Sequence, residues 1–130
     1  MLLGSIEAGG TKFVCAVGNE DYQILNHVRF PTTTPKETLG KTIRYFKKFR
    51  GLKAMSIASF GPIELRHNSP KYGYITDTPK KGWSNVNFLG IIKKHFKFPI
   101  YWTTDVNGSA YGEYIMAGLF HHPVKSLVYY

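Results

Sequence analysis

The chain has 130 residues, a length that suits one domain with a real core or one lobe of a larger protein. Apolar residues at 43% with 19% charged describe a globular chain and exclude a disordered one, and no stretch approaches the ~18 continuous apolar residues of a membrane span. The net charge of +9 raises nucleic acid as a partner, but the distribution argues against it: Lys47, Lys48, Arg50 and Lys53 crowd the end of one expected helix and Lys93, Lys94 and Lys97 another, where cations favour the helix dipole, and no binding motif accompanies them.

Leu2 to Ile6, Lys12 to Gly18 and Ile24 to Phe30 predict three short strands, separated by Gly9-Gly10 and by Asn19-Glu20-Asp21; connections this short make an antiparallel meander. Thr34-Pro35-Lys36-Glu37 then announces a helix, with Thr34 as N-cap, Pro35 in the first helical position and Glu37 completing a capping box. Leu39, Ile43, Phe46 and Phe49 give it one apolar face, and Gly51 is the expected stop. Ala54 to Ser59 predicts a fourth strand. From Phe60 to Asn85 the chain is rich in Gly, Pro, Ser and Asn, the composition of a long binding loop, interrupted by a small strand around Tyr72 to Ile75. Phe88, Ile92 and Phe96 suggest a second helix, Ile100 to Thr103 a fifth strand, Asn107 to Gly118 a third helix and Ser126 to Tyr130 a sixth strand. The last of these stops within an apolar run, as a truncation would.

The single cysteine, Cys15, lies in the run Phe13-Val14-Cys15-Ala16-Val17 and reads as a small buried hydrophobe. The histidines show no ligand spacing, so no metal site is expected. Met1-Leu2-Leu3-Gly4 carries no basic region ahead of a long apolar segment; no secretory signal is expected, and the expected compartment is the cytoplasm.

Two stretches carry chemistry. In Ile6-Glu7-Ala8-Gly9-Gly10-Thr11-Lys12, paired glycines let a backbone approach an anion, Thr11 adds a hydroxyl, Lys12 a cation and Glu7 a carboxylate that could hold a metal through water. The same pair also reads as a plain hairpin turn. In Thr103-Thr104-Asp105-Val106-Asn107 an acid stands at a strand-to-helix junction, aimed outward from the carboxyl end of the sheet; position alone favours its reading as a helix cap.

Gly9-Gly10-Thr11-Lys12, Phe60-Gly61-Pro62, Thr78-Pro79-Lys80-Lys81-Gly82-Trp83 and Thr104-Asp105-Val106-Asn107, in this order and at these distances, resemble the N-terminal half of a bacterial fructokinase of the ROK family (repressors, open reading frames, kinases). The resemblance covers essentially the whole chain. It implies an α/β, ribonuclease H-like N-terminal lobe of the actin and sugar kinase superfamily, with a mixed five- to six-stranded sheet and flanking helices. It also implies that residues 1–130 form a single lobe whose C-terminal partner lobe is missing.

The activity implied is transfer of a phosphoryl group from ATP, with Mg2+, to a hexose, with fructose as the expected substrate. Asp105 would be the general base; Gly9, Gly10 and Thr11 would contact the ATP phosphates, Lys12 would add positive charge, and Glu7 would join the nucleotide site through Mg2+. Gly61, Pro62, Thr78, Lys80, Trp83 and Asn107 would line the sugar, Trp83 offering an apolar ring face or else serving as a core anchor. Glu7 departs from the aspartate more usual in the wider family. The family's second glycine-rich turn, zinc-binding cysteines and adenosine pocket would follow Tyr130, so the isolated chain is expected to be inactive and prone to self-association. The complete enzyme could form a homodimer. The alternative reading is a non-catalytic sugar- or phosphate-binding regulatory module; a repressor is disfavoured because only six residues precede Glu7.

Overall fold

The computed structural model describes residues 1–21 and 23–104. Strands β1 (Leu2–Ala8), β2 (Lys12–Asn19) and β3 (Ile24–Pro31) form the expected meander, followed by helix α1 (Pro35–Lys47), strand β4 (Leu52–Ser59), helix α2 (Phe88–Lys93) and strand β5 (Ile100–Thr104). The sheet order is β3-β2-β1-β4-β5, with β1 antiparallel to β2, β2 antiparallel to β3, and β4 parallel to both β1 and β5. The expected third helix over 107–118 and sixth strand over 126–130 lie outside the described residues.

Strand alternation divides the sheet into two faces. Ile6, Cys15, Val28, Ile57 and Trp102 sit side by side in register, as do Ala8, Phe13, Phe30, Ser59 and Thr104. This face meets the helices: a Cβ built on Gly4 would come within 3.0 Å of the Phe46 ring of α1, and Phe88 of α2 packs edge-on against Trp102 at 5.5 Å. Glu7, between Ile6 and Ala8, therefore projects from the opposite face.

Helix α1 starts as the sequence predicts. Thr34 is its N-cap, its hydroxyl accepting the Glu37 N–H at 3.2 Å, with Pro35 in the first turn. The box closes differently, because Glu37 Oε1 accepts from the Thr33 hydroxyl at 2.6 Å. Its buried stripe is Thr38, Leu39, Thr42, Tyr45 and Phe46, whereas Ile43 is only half-buried. Thr42 Oγ1 donates to the Thr38 carbonyl at 2.9 Å and the Tyr45 hydroxyl to Asn26 Oδ1 at 2.8 Å, so these polar residues pack in the core with their polar atoms satisfied.

The helix ends at Lys47 with Lys48 as C-cap, ahead of Gly51, and Phe49 lies beyond it. Helix α2, capped by Asn87 Oδ1 accepting from Gly90 N–H at 3.0 Å, is also shorter than its apolar spacing suggests. Phe96 falls past its end and stacks on Phe98 at 5.3 Å, because the chain must already extend toward Pro99, whose carbonyl accepts from Met55 N–H at 3.0 Å. Of the basic residues at these helix ends, Lys47 bridges the two: its Nζ donates to the His95 carbonyl at 2.6 Å and lies 4.8 Å from the Phe96 ring centroid.

Cys15 is fully buried, and burial pushes its thiol up to about 12, against a smaller opposing effect of Thr42. The thiolate fraction at pH 8 is therefore negligible. The folded chain is expected to resist iodoacetamide at pH 8 and to be alkylated rapidly in denaturant; mass spectrometry after timed quenching reads the difference, and equal rates would contradict the burial.

Candidate active site

The carboxyl end of β1, the start of β2 and the end of β3 meet at one edge of the sheet, together with the carboxyl ends of β4 and β5. The Gly9-Gly10 turn sits there. Gly9 N–H donates to the Lys12 carbonyl at 2.9 Å, closing the hairpin, and Phe60 N–H donates to the Ala8 carbonyl at 2.7 Å, tying the chain after β4 to its base. Neither Gly9 nor Gly10 has a positive φ, so access rather than a left-handed backbone explains Gly10. A Cβ on Gly10 would meet nothing within 4 Å, whereas one on Gly9 would stand 3.0 Å from the Lys12 carbonyl. The space over Gly10 is open, and Thr11 and Lys12 beside it are exposed.

Thr32, 6% exposed, is the anchor of this turn. Its hydroxyl donates to the Gly9 carbonyl at 2.7 Å and its N–H to the Thr11 carbonyl at 2.9 Å. Sequence reasoning passed over Thr32 and Thr33 in favour of the N-cap Thr34; the signal available was a run of hydroxyls directly after a strand.

The stretch from Phe60 to Asn85 forms no named strand. It folds on itself through isolated bridges from Ile75 to Ile63 and to Val86, and the strand expected around Tyr72 to Ile75 reduces to these. The Gly61–Pro62 peptide is cis. Glu64 ties the stretch down: its carbonyl accepts the Trp102 indole N–H at 2.9 Å, and its carboxylate accepts from Arg66 Nη2 at 2.6 Å, a pairing that holds the carboxyl down to about 2.

The described residues expected to line the sugar are held in one loop, where the Lys80 N–H donates to Thr78 Oγ1 at 3.5 Å. Thr78 Oγ1 donates to the Gly61 carbonyl at 3.0 Å, which brings Gly61, Pro62 and Thr78 together near the end of β4. Lys80, Lys81 and Gly82 face Thr32–Pro35 across a cavity of about 430 Å³.

Trp83 as a sugar-facing ring is corrected. It is 0% exposed, packs against Phe13 at 5.8 Å and Phe60 at 5.5 Å, and its indole N–H donates to the Thr33 carbonyl at 2.8 Å. Every face of the ring is taken by protein, which leaves the core-anchor reading. Asp105 and Asn107 lie outside the described residues; β5 ends at Thr104, immediately before Asp105. Among the described residues no three His, Cys, Asp or Glu side chains gather closely enough to hold a metal ion, and no helix is long and apolar enough to cross a membrane.

A three-stranded meander opening on a Gly-Gly hairpin, extended by two parallel strands and gathering its loops at one edge, is the ribonuclease H-like fold shared by actin and sugar kinases. The chain belongs to the ROK family, whose model matches residues 3–129. It is 62% identical over 130 residues to the fructokinase of Streptococcus mutans serotype c, covering 99% of this chain and 43% of that protein. It is 54% identical over 126 residues to the fructokinase of Lactococcus lactis subsp. cremoris, covering 97% and 41%. Among solved structures, a ROK family glucokinase from Streptomyces griseus, in complex with glucose and AMPPNP, superposes with a TM-score of 0.70 at 20% identity over 88% of this chain and 36% of that one. The chain thus spans about two fifths of the length of the curated relatives it matches.

Proposed function

We propose that this chain is the N-terminal lobe of an ATP-dependent fructokinase, whose site is completed by a second lobe. The observation that carries the reading is the open backbone over Gly10 at the sheet edge, in a chain 62% identical to a fructokinase along its whole length. In this reading the hairpin amides of Gly10 and Thr11 and the Lys12 ammonium receive the ATP phosphates, while the Gly9 N–H stays on the Lys12 carbonyl and keeps the turn closed. Phosphoryl transfer depends mainly on such positioning and charge neutralisation. Mg2+ would enter with the nucleotide and offset phosphate charge, with Glu7 as the carboxylate that could hold it through water.

Asp105, directly after β5, would take the proton from the attacking sugar hydroxyl. The hydroxyl oxygen then bonds to the terminal phosphorus as the bond to the bridging oxygen breaks and ADP leaves. Asn107, Gly61, Pro62 and Thr78 would orient the hexose. Lys80, whose N–H donates to Thr78 Oγ1 at 3.5 Å, would stand beside them.

The test is Mg-ATP-dependent ADP release with fructose, by the chain alone and by the chain co-expressed with the carboxyl-terminal remainder of the streptococcal relative. The folded chain alone is expected to be silent. The reconstituted protein should turn over, and Asp105→Asn should lower kcat by roughly a hundredfold or more. A folded, reconstituted protein that releases no ADP with fructose would sink the assignment.

A further inference from the structure

The Gly9-Gly10 hairpin holds its own Gly9 N–H on the Lys12 carbonyl at 2.9 Å, but that bond does not aim the Gly10 amide. A peptide unit is planar and trans, so the Gly10 N–H points opposite to the Gly9 carbonyl. Whatever holds that carbonyl also fixes the amide. Thr32 holds it, through the 2.7 Å bond from its hydroxyl, and its N–H takes the Thr11 carbonyl at 2.9 Å. Both carbonyls are thereby drawn toward the junction of β3 and α1, where their lone pairs are used and cannot repel an anion over Gly10. The junction is itself fixed, because the Trp83 indole holds the neighbouring Thr33 carbonyl at 2.8 Å and the Thr33 N–H donates to Thr38 Oγ1 at 2.9 Å.

We propose that Thr32 is the positioning residue of the phosphate-binding hairpin: by holding the Gly9 and Thr11 carbonyls aside, it presents the Gly10 amide to the anion. This rests on reading the hairpin as a phosphate cradle. Thr32 touches no ligand itself and acts through the backbone it orients.

The experiment is a titration of the full, isotope-labelled chain with Mg-ATP, following the Gly9, Gly10 and Thr11 amide resonances, with adenosine as the control lacking phosphate. Thr32→Val keeps the N–H and the shape but removes the hydroxyl, while Thr32→Ser restores it. Thr32→Val is expected to move the Gly10 resonance before any ligand is added and to weaken ATP binding about fivefold, the effect of one lost neutral hydrogen bond. Thr32→Ser should return both readouts to wild type, which a merely structural loss would not predict.

Equal ATP affinity in a folded Thr32→Val chain would overturn the proposal and leave the cradle standing. If no hairpin amide of the wild-type chain responds to ATP, the cradle itself falls and the role of Thr32 with it. Should Thr32→Val unfold, hydrogen exchange on the wild-type chain decides: ATP must slow exchange at Gly10 while the already bonded Thr32 amide stays unchanged, and an unprotected Gly10 rejects the proposal.

Discussion

Trp83→Ala will destabilise the fold by about 3–5 kcal/mol, a large share of the stability of a lobe this size. The indole is wholly buried among Phe13 and Phe60, so its removal leaves a cavity that neighbouring rings can only partly fill. It also strands the Thr33 carbonyl, which accepts the indole N–H at 2.8 Å. Trp83→Phe separates the two effects: it keeps most of the apolar volume and loses the bond, and should cost about 1–2 kcal/mol. Urea unfolding followed by far-ultraviolet circular dichroism measures both variants. A midpoint for Trp83→Ala equal to that of the wild type would refute the core-anchor assignment and return the ring to the candidate sugar contacts.

Gly73→Ala comes next, with an expected loss of about 2–4 kcal/mol from backbone strain and overpacking combined. Gly73 has a φ of +88°, and a Cβ built on it would lie 2.7 Å from Leu89 Cβ. Neither partner can give way cheaply. Leu89 is 2% exposed in the first turn of α2, and its N–H donates to the Gly73 carbonyl at 3.0 Å, so backbone and side chain are pressed together at one point. Gly10→Ala is the matched control: with nothing within 4 Å of the new methyl and no positive φ, its effect on stability should stay within about 0.5 kcal/mol. Thermal unfolding of the pair compares them directly. A Gly73→Ala chain as stable as Gly10→Ala would mean that α2 does not sit against the loop as described.

The regular elements were legible because their signals are local. The meander follows from apolar runs divided by Gly9-Gly10 and Asn19-Glu20-Asp21, and the start of α1 from Thr34-Pro35. The four-motif resemblance added the lobe's architecture and its family. Less legible was anything held by partners distant in the chain. The stretch from Phe60 to Asn85 owes its shape to Ile75 meeting Ile63 and Val86, and to Trp83 reaching back to Thr33; no periodicity announces such pairings.

Residue type also misled where polar atoms are satisfied internally. Thr42 and Tyr45 occupy the core stripe of α1 that apolarity alone assigned to Ile43 and Phe49. Trp83 belongs to one motif with Thr78 and Lys80, yet the turn from Lys80 to Trp83 carries its ring to Thr33 while Thr78 stays on Gly61.

The open space over Gly10 has a consequence for selectivity. Under the proposed function, an anion received there would meet backbone amides, a threonine hydroxyl and one ammonium, groups that register charge and size but carry no pattern complementary to a purine or a sugar. The hairpin would then discriminate phosphorylated from unphosphorylated molecules while treating different nucleoside triphosphates alike. Any preference among them has to be written elsewhere, in surfaces that meet the base.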